Sequence, residues 1–169
     1  MALGVDYAAQ QCAVARTLEV VGGRWTMLIV RDCFFGVRRF SDLREHLGVS
    51  RAVLSERLAQ LVDDGVLARV PSGGREAYDL TPKGLALWPV LVALLAWGDE
   101  HASPGGARRL FSHAACGTDL DRAGGCPACG LAPPPHDVVM RPGPGSTGPQ
   151  GPGRVSAALQ QPRRLLDPV

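Results

Sequence analysis

The sequence predicts a mainly α-helical domain with one small β-hairpin, an α+β class, and three observations predict it. Residues 1–103 are dense in aliphatic side chains, and several stretches place them at helical spacing. Two strand-like runs, Val66 to Pro71 and Arg75 to Leu80, surround Ser72-Gly73-Gly74, which is a hairpin signal. Past residue 103 the 21 Gly and 14 Pro concentrate, and one His and three Cys group within residues 113–129. That shift predicts a first domain over 1–103, a small module over 108–141 and a Pro/Gly-rich disordered tail over 142–169.

In chain order, Tyr7 to Val21 reads as a helix with Cys12, Ala15, Leu18, Val14 and Val21 inward, broken by Gly22-Gly23. Trp25 to Phe34 is apolar enough for a buried helix and places Cys33 in the core, with Gly36 as its stop. Val37 to Phe40 looks extended, and Ser41 is the expected cap of a short helix through Leu47. Gly48-Val49 makes a turn. Ser50 then caps a helix whose Leu54, Leu58, Leu61 and Val62 share one face, with Gly65 at its end. Thr81 as N-cap and Pro82 at the first position open a last helix to about His101, apolar nearly all round.

Helix, glycine turn, second helix and a hairpin with Arg69 and Arg75 near its tip make a winged helix-turn-helix. In the second helix, Ala52, Ser55, Glu56 and Ala59 lie opposite the apolar face and Arg51 sits at the tip. A small, polar outer face lets a backbone approach base edges in a major groove, although taken alone the stretch is equally an amphipathic core helix. On this reading Arg51, Ser55 and Glu56 are placed for base edges, and Arg38, Arg39, Ser41 and Arg75 for phosphates. The net charge is only +2, so any polyanion footprint is local. No phosphate loop, HExxH or Ser/His/Asp set stands out, and the reading is not an enzyme.

These residues carry a family likeness. Leu18 to Ile29 with its Gly22-Gly23-Arg24-Trp25, Arg39 to Arg44, Leu54 to Leu58, Asp64 to Leu67 and Tyr78 to Gly84 resemble the HxlR-type transcriptional regulators over about Cys12 to His101. The resemblance implies a MarR-like homodimer, paired through the first and last helices of the domain, on a roughly palindromic promoter site in double-stranded DNA. On that reading Trp88 and Trp97 serve the dimer core, with a pocket for a small-molecule effector between the dimer helices as the less favoured alternative. It also implies a candidate electrophile- or oxidant-sensing thiol in the first helix, where Cys12 stands. Ala13 follows it in place of the usual proline, Arg16 is the nearest cation, and a buried structural role for Cys12 is favoured.

His113-Ala114-Ala115-Cys116-Gly117 and Cys126-Pro127-Ala128-Cys129-Gly130 are two copies of one device: two ligand-type residues flanking two others, then glycine. His113, Cys116, Cys126 and Cys129 would give a closed tetrahedral Cys3His set for a structural Zn2+ in a zinc-ribbon-like module, with His136 a less well spaced substitute. Ala115 stands where a zinc deaminase needs Glu. The odd cysteine count does not suggest a disulfide framework. With no apolar run of membrane length and no export signal at Met1 to Asp6, the expected place is the cytoplasm and no membrane partner is expected. The rival roles are a cysteine redox switch and a zinc-ribbon protein-interaction module.

Overall fold

The computed structural model describes residues 7, 10–148 and 153–169. Four helices build its first part: α1 Ala13–Val21, α2 Thr26–Phe34, α3 Phe40–Leu47 and α4 Arg51–Asp63. α4 forms as its sequence requires. The Ser50 hydroxyl accepts from the Val53 amide at 3.4 Å, Leu54, Leu58 and Leu61 are buried, and Gly65 turns the chain at φ +68°. α1 is shorter than expected because Cys12 is its N-cap, and its inward face is corrected too. Ala15 and Val21 are buried, but Val14 is 65% and Leu18 44% exposed, and Cys12 is exposed instead of buried. Ser41 does not cap α3. Arg39 does so with extended backbone, and the Ser41 hydroxyl instead lies 3.2 Å from Asp42 Oδ1.

The hairpin pairs β1 Leu67–Ser72 with β2 Arg75–Leu80, antiparallel, with Ser72 opposite Arg75. Gly73 and Gly74 form the two-residue loop at φ +58° and +74°, and the positive φ at both positions suits the right-handed twist of the flanking strands. Arg39 bridges Ala77, and the Tyr78 amide donates to the Arg38 carbonyl at 2.9 Å, so the α2–α3 connection adds a rung to the hairpin.

The expected last helix is two. α5 is Pro82–Leu85, with the Thr81 hydroxyl accepting from Gly84 N, and α6 is Trp88–His101. Pro89 has no amide to give the Leu85 carbonyl, so the chain tightens through Ala86 and Leu87 before helix resumes. Trp88 packs inside the chain, its ring 5.3 Å from Phe34 and 5.5 Å from Phe111, instead of waiting for a partner subunit. The opposite face of α6 leaves Val90, Leu94 and Trp97 exposed, Trp97 by 63%.

A second antiparallel sheet joins β3 Arg109–His113, β4 Val138–Pro142 and β5 Arg163–Arg164, with β4 central. The expectation of a disordered tail is corrected here. Gly143 and Gly145 donate to Arg108 and Ala107 carbonyls, both at 3.0 Å. Residues 149–152 lie outside the described residues. Beyond them α7 Arg154–Ala158 and β5 fold back, burying Val155, Leu159 and Leu165 in the same hydrophobic core as Ile29, Phe34, Leu54, Leu58 and Met140. Three aliphatic side chains, Val155 on α7, Leu159 at its C-cap and Leu165 beyond it, supply the apolar area that the Gly/Pro composition concealed. The Leu165, Leu166 and Val169 amides donate to Val138, Phe34 and Gly36 carbonyls at 2.9, 2.8 and 3.0 Å, and Arg154 pairs with Asp42 on α3. Among the described residues, no helix is long and apolar enough to cross a membrane.

Candidate nucleic-acid interface and metal centre

α4 is anchored by its buried leucines, so its other face is fixed outward. Arg51, Ala52, Ser55 and Glu56 are exposed on it, and Ala59 is half-buried. Arg51 sits 5.8 Å above the Phe40 ring, a cation–π contact that ties the tip of α4 to the start of α3. Glu56 Oε1 accepts from Arg57 Nη2 at 2.7 Å, so the Glu56 carboxylate is partly neutralised by its neighbour.

The basic residues are not equivalent. Arg75 is exposed at the hairpin tip. Arg39 reaches the hairpin loop, its Nη2 3.4 Å from where a Cβ on Gly73 would stand. Arg38 Nη1 is held in a 2.8 Å ion pair with Asp79 Oδ1 of β2, which a phosphate would have to displace. Ser41 stays exposed at the start of α3. Arg51 at the tip of α4 thus meets Phe40 at the start of α3, between Arg39 and Ser41 in the chain, and Arg39 reaches the wing that carries Arg75. Phe40 and Arg57 went unnoticed in the sequence as site residues. The signal for Phe40 is an aromatic side chain directly before Ser41, at the first position of α3 after its Arg39 cap.

Cys12 is at the N-cap of α1. The amides of Ala15 and Val14 lower its thiol below the usual range, while Arg16 is occupied by Glu19 at 2.9 Å. Cys33, by contrast, is buried in α2, and burial pushes its thiol far up, leaving it inert.

The two knuckles fold alike. Cys116 and Gly117 amides donate to the His113 carbonyl at 3.3 and 2.8 Å, and Cys129 and Gly130 amides donate to the Cys126 carbonyl at 3.3 and 2.9 Å. Gly117 and Gly130 close them at φ +72° and +67°, the conformation for which glycine is needed. β3 delivers His113, and an antiparallel bridge between Cys126 and Leu131 closes the second knuckle. The ligand atoms of His113, Cys116, Cys126 and Cys129 all lie within 4.8 Å of one another, and the group could hold a metal ion. Cys116 Sγ is 3.5 Å from His113 Nδ1, 3.5 Å from Cys126 Sγ and 3.6 Å from Cys129 Sγ. Metal–sulfur bonds of about 2.3 Å at a tetrahedral angle put sulfurs about 3.8 Å apart, so the set fits the geometry. Hydrogen bonds from Thr118 bring the Cys116 thiol down to about 6, while the hydrogen bond to Cys116 holds the Cys129 thiol up at about 11. One thiol of the group is therefore poised as the thiolate a metal needs, and another keeps its proton until a metal displaces it. His136 is not in the cluster.

The HxlR-like helix-turn-helix family matches residues 20–105 of this chain. An uncharacterised HTH-type transcriptional regulator of Mycobacterium tuberculosis, Rv3095, is 43% identical over 137 residues, covering 79% of this chain and 87% of its own length. At most about 35 residues lie outside that match, so wherever it begins it spans all four cluster positions. The crystal structure of PA1607, a proposed transcription factor, superposes with a TM-score of 0.61 at 41% identity, covering 66% of this chain and 81% of that one. The redox regulator HypR in its oxidised form superposes at 0.51 with 27% identity, over 55% of this chain and all of that one. An exposed helix-turn-helix face and a basic-tipped wing thus coincide with matches to most of the chain, and the protein belongs to the HxlR-like helix-turn-helix family.

Proposed function

We propose that this protein is a cytoplasmic transcriptional regulator, not an enzyme, that binds a roughly palindromic promoter site as a homodimer and carries a structural Zn2+. The observation that carries the reading is the outer face of α4. It is small, polar and fixed by three buried leucines, next to a wing tipped by Arg75. Arg51, Ser55 and Glu56 read base edges, Ala52 and Ala59 allow close approach, and Arg38, Arg39, Ser41 and Arg75 contact phosphates. Val14 and Leu18 on α1 and Val90, Leu94 and Trp97 on α6 supply the uncovered apolar surface for pairing two subunits. Sequencing genomic fragments bound by the protein tests this. A shared palindrome with half-sites about 10 base pairs apart is expected. Arg51→Ala should lose about 1–3 kcal/mol of discrimination at its base in each half-site, and Arg75→Ala, present in both subunits, should weaken all sequences alike and lower the salt slope by about 2. No enrichment by folded, dimeric protein would reject the reading and favour a protein-interaction module.

A second role is favoured by Cys12, whose thiol is exposed and acidified at a helix N-terminus. Similarity to a redox regulator supports an oxidant or electrophile as effector. Cys12→Ser is expected to bind DNA as well as the native protein but to lose its response to a quinone. A variant that still responds would remove Cys12 from the mechanism.

A further inference from the structure

α6 carries two apolar faces. At 100° per residue, Val90, Leu94 and Trp97 lie on one side, whereas Val92, Leu95 and Asp99 lie on the other. The second face looks onto the metal-bearing module across a cavity of about 320 Å³. Trp88 and Phe111 meet edge to face among its walls, with Val92, Leu95 and Leu120. More than half of the lining comes from residues 107–124, past the segment that the family match covers. The volume and apolar lining are those of a small-molecule site.

Charge indicates the ligand. The lining holds Asp99, Glu100, Asp119 and Asp121 against Arg109 and Arg122. Most of these are engaged. Arg122 holds Glu100, Arg141 binds both oxygens of Asp119 at 2.7 and 2.6 Å, and Asp121 Oδ1 accepts the Ala123 and Gly125 amides, each at 2.9 Å. The Arg109 guanidinium donates to the Leu159 carbonyl at 2.6 Å. Asp99, half-buried on the cavity side of α6, is left without a hydrogen-bond or ion-pair partner among the described residues.

We propose that this cavity binds a small aromatic amine, its ring between Trp88, Phe111 and Leu120 and its ammonium on Asp99. The ligand would touch α6 and the metal-bearing module at once, on the side of α6 opposite its uncovered apolar face. The proposal stands on the cavity and does not need the DNA reading, so its test omits DNA.

Calorimetric titration of the full, metal-loaded chain would use three probes of one shape: 2-naphthylmethylamine, 2-naphthylmethanol and 2-naphthoate. The amine is expected to bind at least about tenfold more tightly than the carboxylate, with the alcohol between, because a partly desolvated carboxylate attracts one and repels the other. Asp99→Asn should bring the amine to the level of the alcohol. Ala96→Leu, which narrows the cavity, should weaken all three, and circular dichroism would verify that both variants fold. No saturable binding of the amine by folded native protein, equal binding of the three probes, or an amine preference that survives in Asp99→Asn would overturn the proposal.

Discussion

Chelating the proposed Zn2+, or replacing Cys126 by Ser, is expected to unfold residues 109–142 and to lower Tm by at least about 10 °C, given about 2–4 °C per kcal/mol in a chain of this size. Four closed ligands make metal binding part of the folding free energy, and for small structural zinc units that term reaches about 10–16 kcal/mol. The loss should not stay local. β3, which carries His113, pairs with β4, whose Val138 and Met140 are fully buried in the hydrophobic core that contains Phe34 and Trp88. Metal analysis and limited trypsin digestion check this together. One Zn2+ per native chain is expected, with new cleavage after Arg108, Arg109 or Arg122 only in the stripped or Cys126→Ser protein. A chain with no bound metal and a Tm indifferent to chelator would remove the zinc assignment.

Leu165→Ala is expected to cost about 2–5 kcal/mol in urea unfolding, the usual range for truncating a fully buried leucine. Leu165 is 1% exposed and its amide is bonded to Val138. Leu131→Ala, at a site 48% exposed, should change stability by no more than about 0.5 kcal/mol. A disordered tail would make the two variants indistinguishable.

What the sequence made legible was local. Ser50, the three leucines and Gly65 define α4 through contacts local to that helix and its two ends, and the knuckles announce themselves by spacing and a following glycine. Features fixed by distant partners were not legible. Nothing near Pro162 or Leu165 reveals that the chain there adds a strand to β4, and the Gly/Pro average outweighed three aliphatic residues. The pairing of Arg38 with Asp79 depends on how the α2–α3 connection meets β2, a register no composition encodes. The break before α6 turned on the Leu85 carbonyl, because a proline near a helix start reads as permissive until the preceding turn must also be satisfied.

The strap formed by α7 and β5 has a kinetic consequence. Arg154 meets Asp42 across 112 positions, whereas Cys116 meets Cys126 across 10. Closing the longer loop costs more chain entropy, and contacts of such separation slow folding in general. The knuckles and α4 can therefore assemble early, while α3 receives Arg154 and α2 receives Leu166 in a late docking step. Until that step Phe34 and Met140 lack their Val155, Leu159 and Leu165 neighbours, so the half-finished chain presents apolar surface that the finished one conceals. Folding intermediates of this protein are accordingly expected to bind hydrophobic dyes, and the last refolding phase to be the one that quenches that signal.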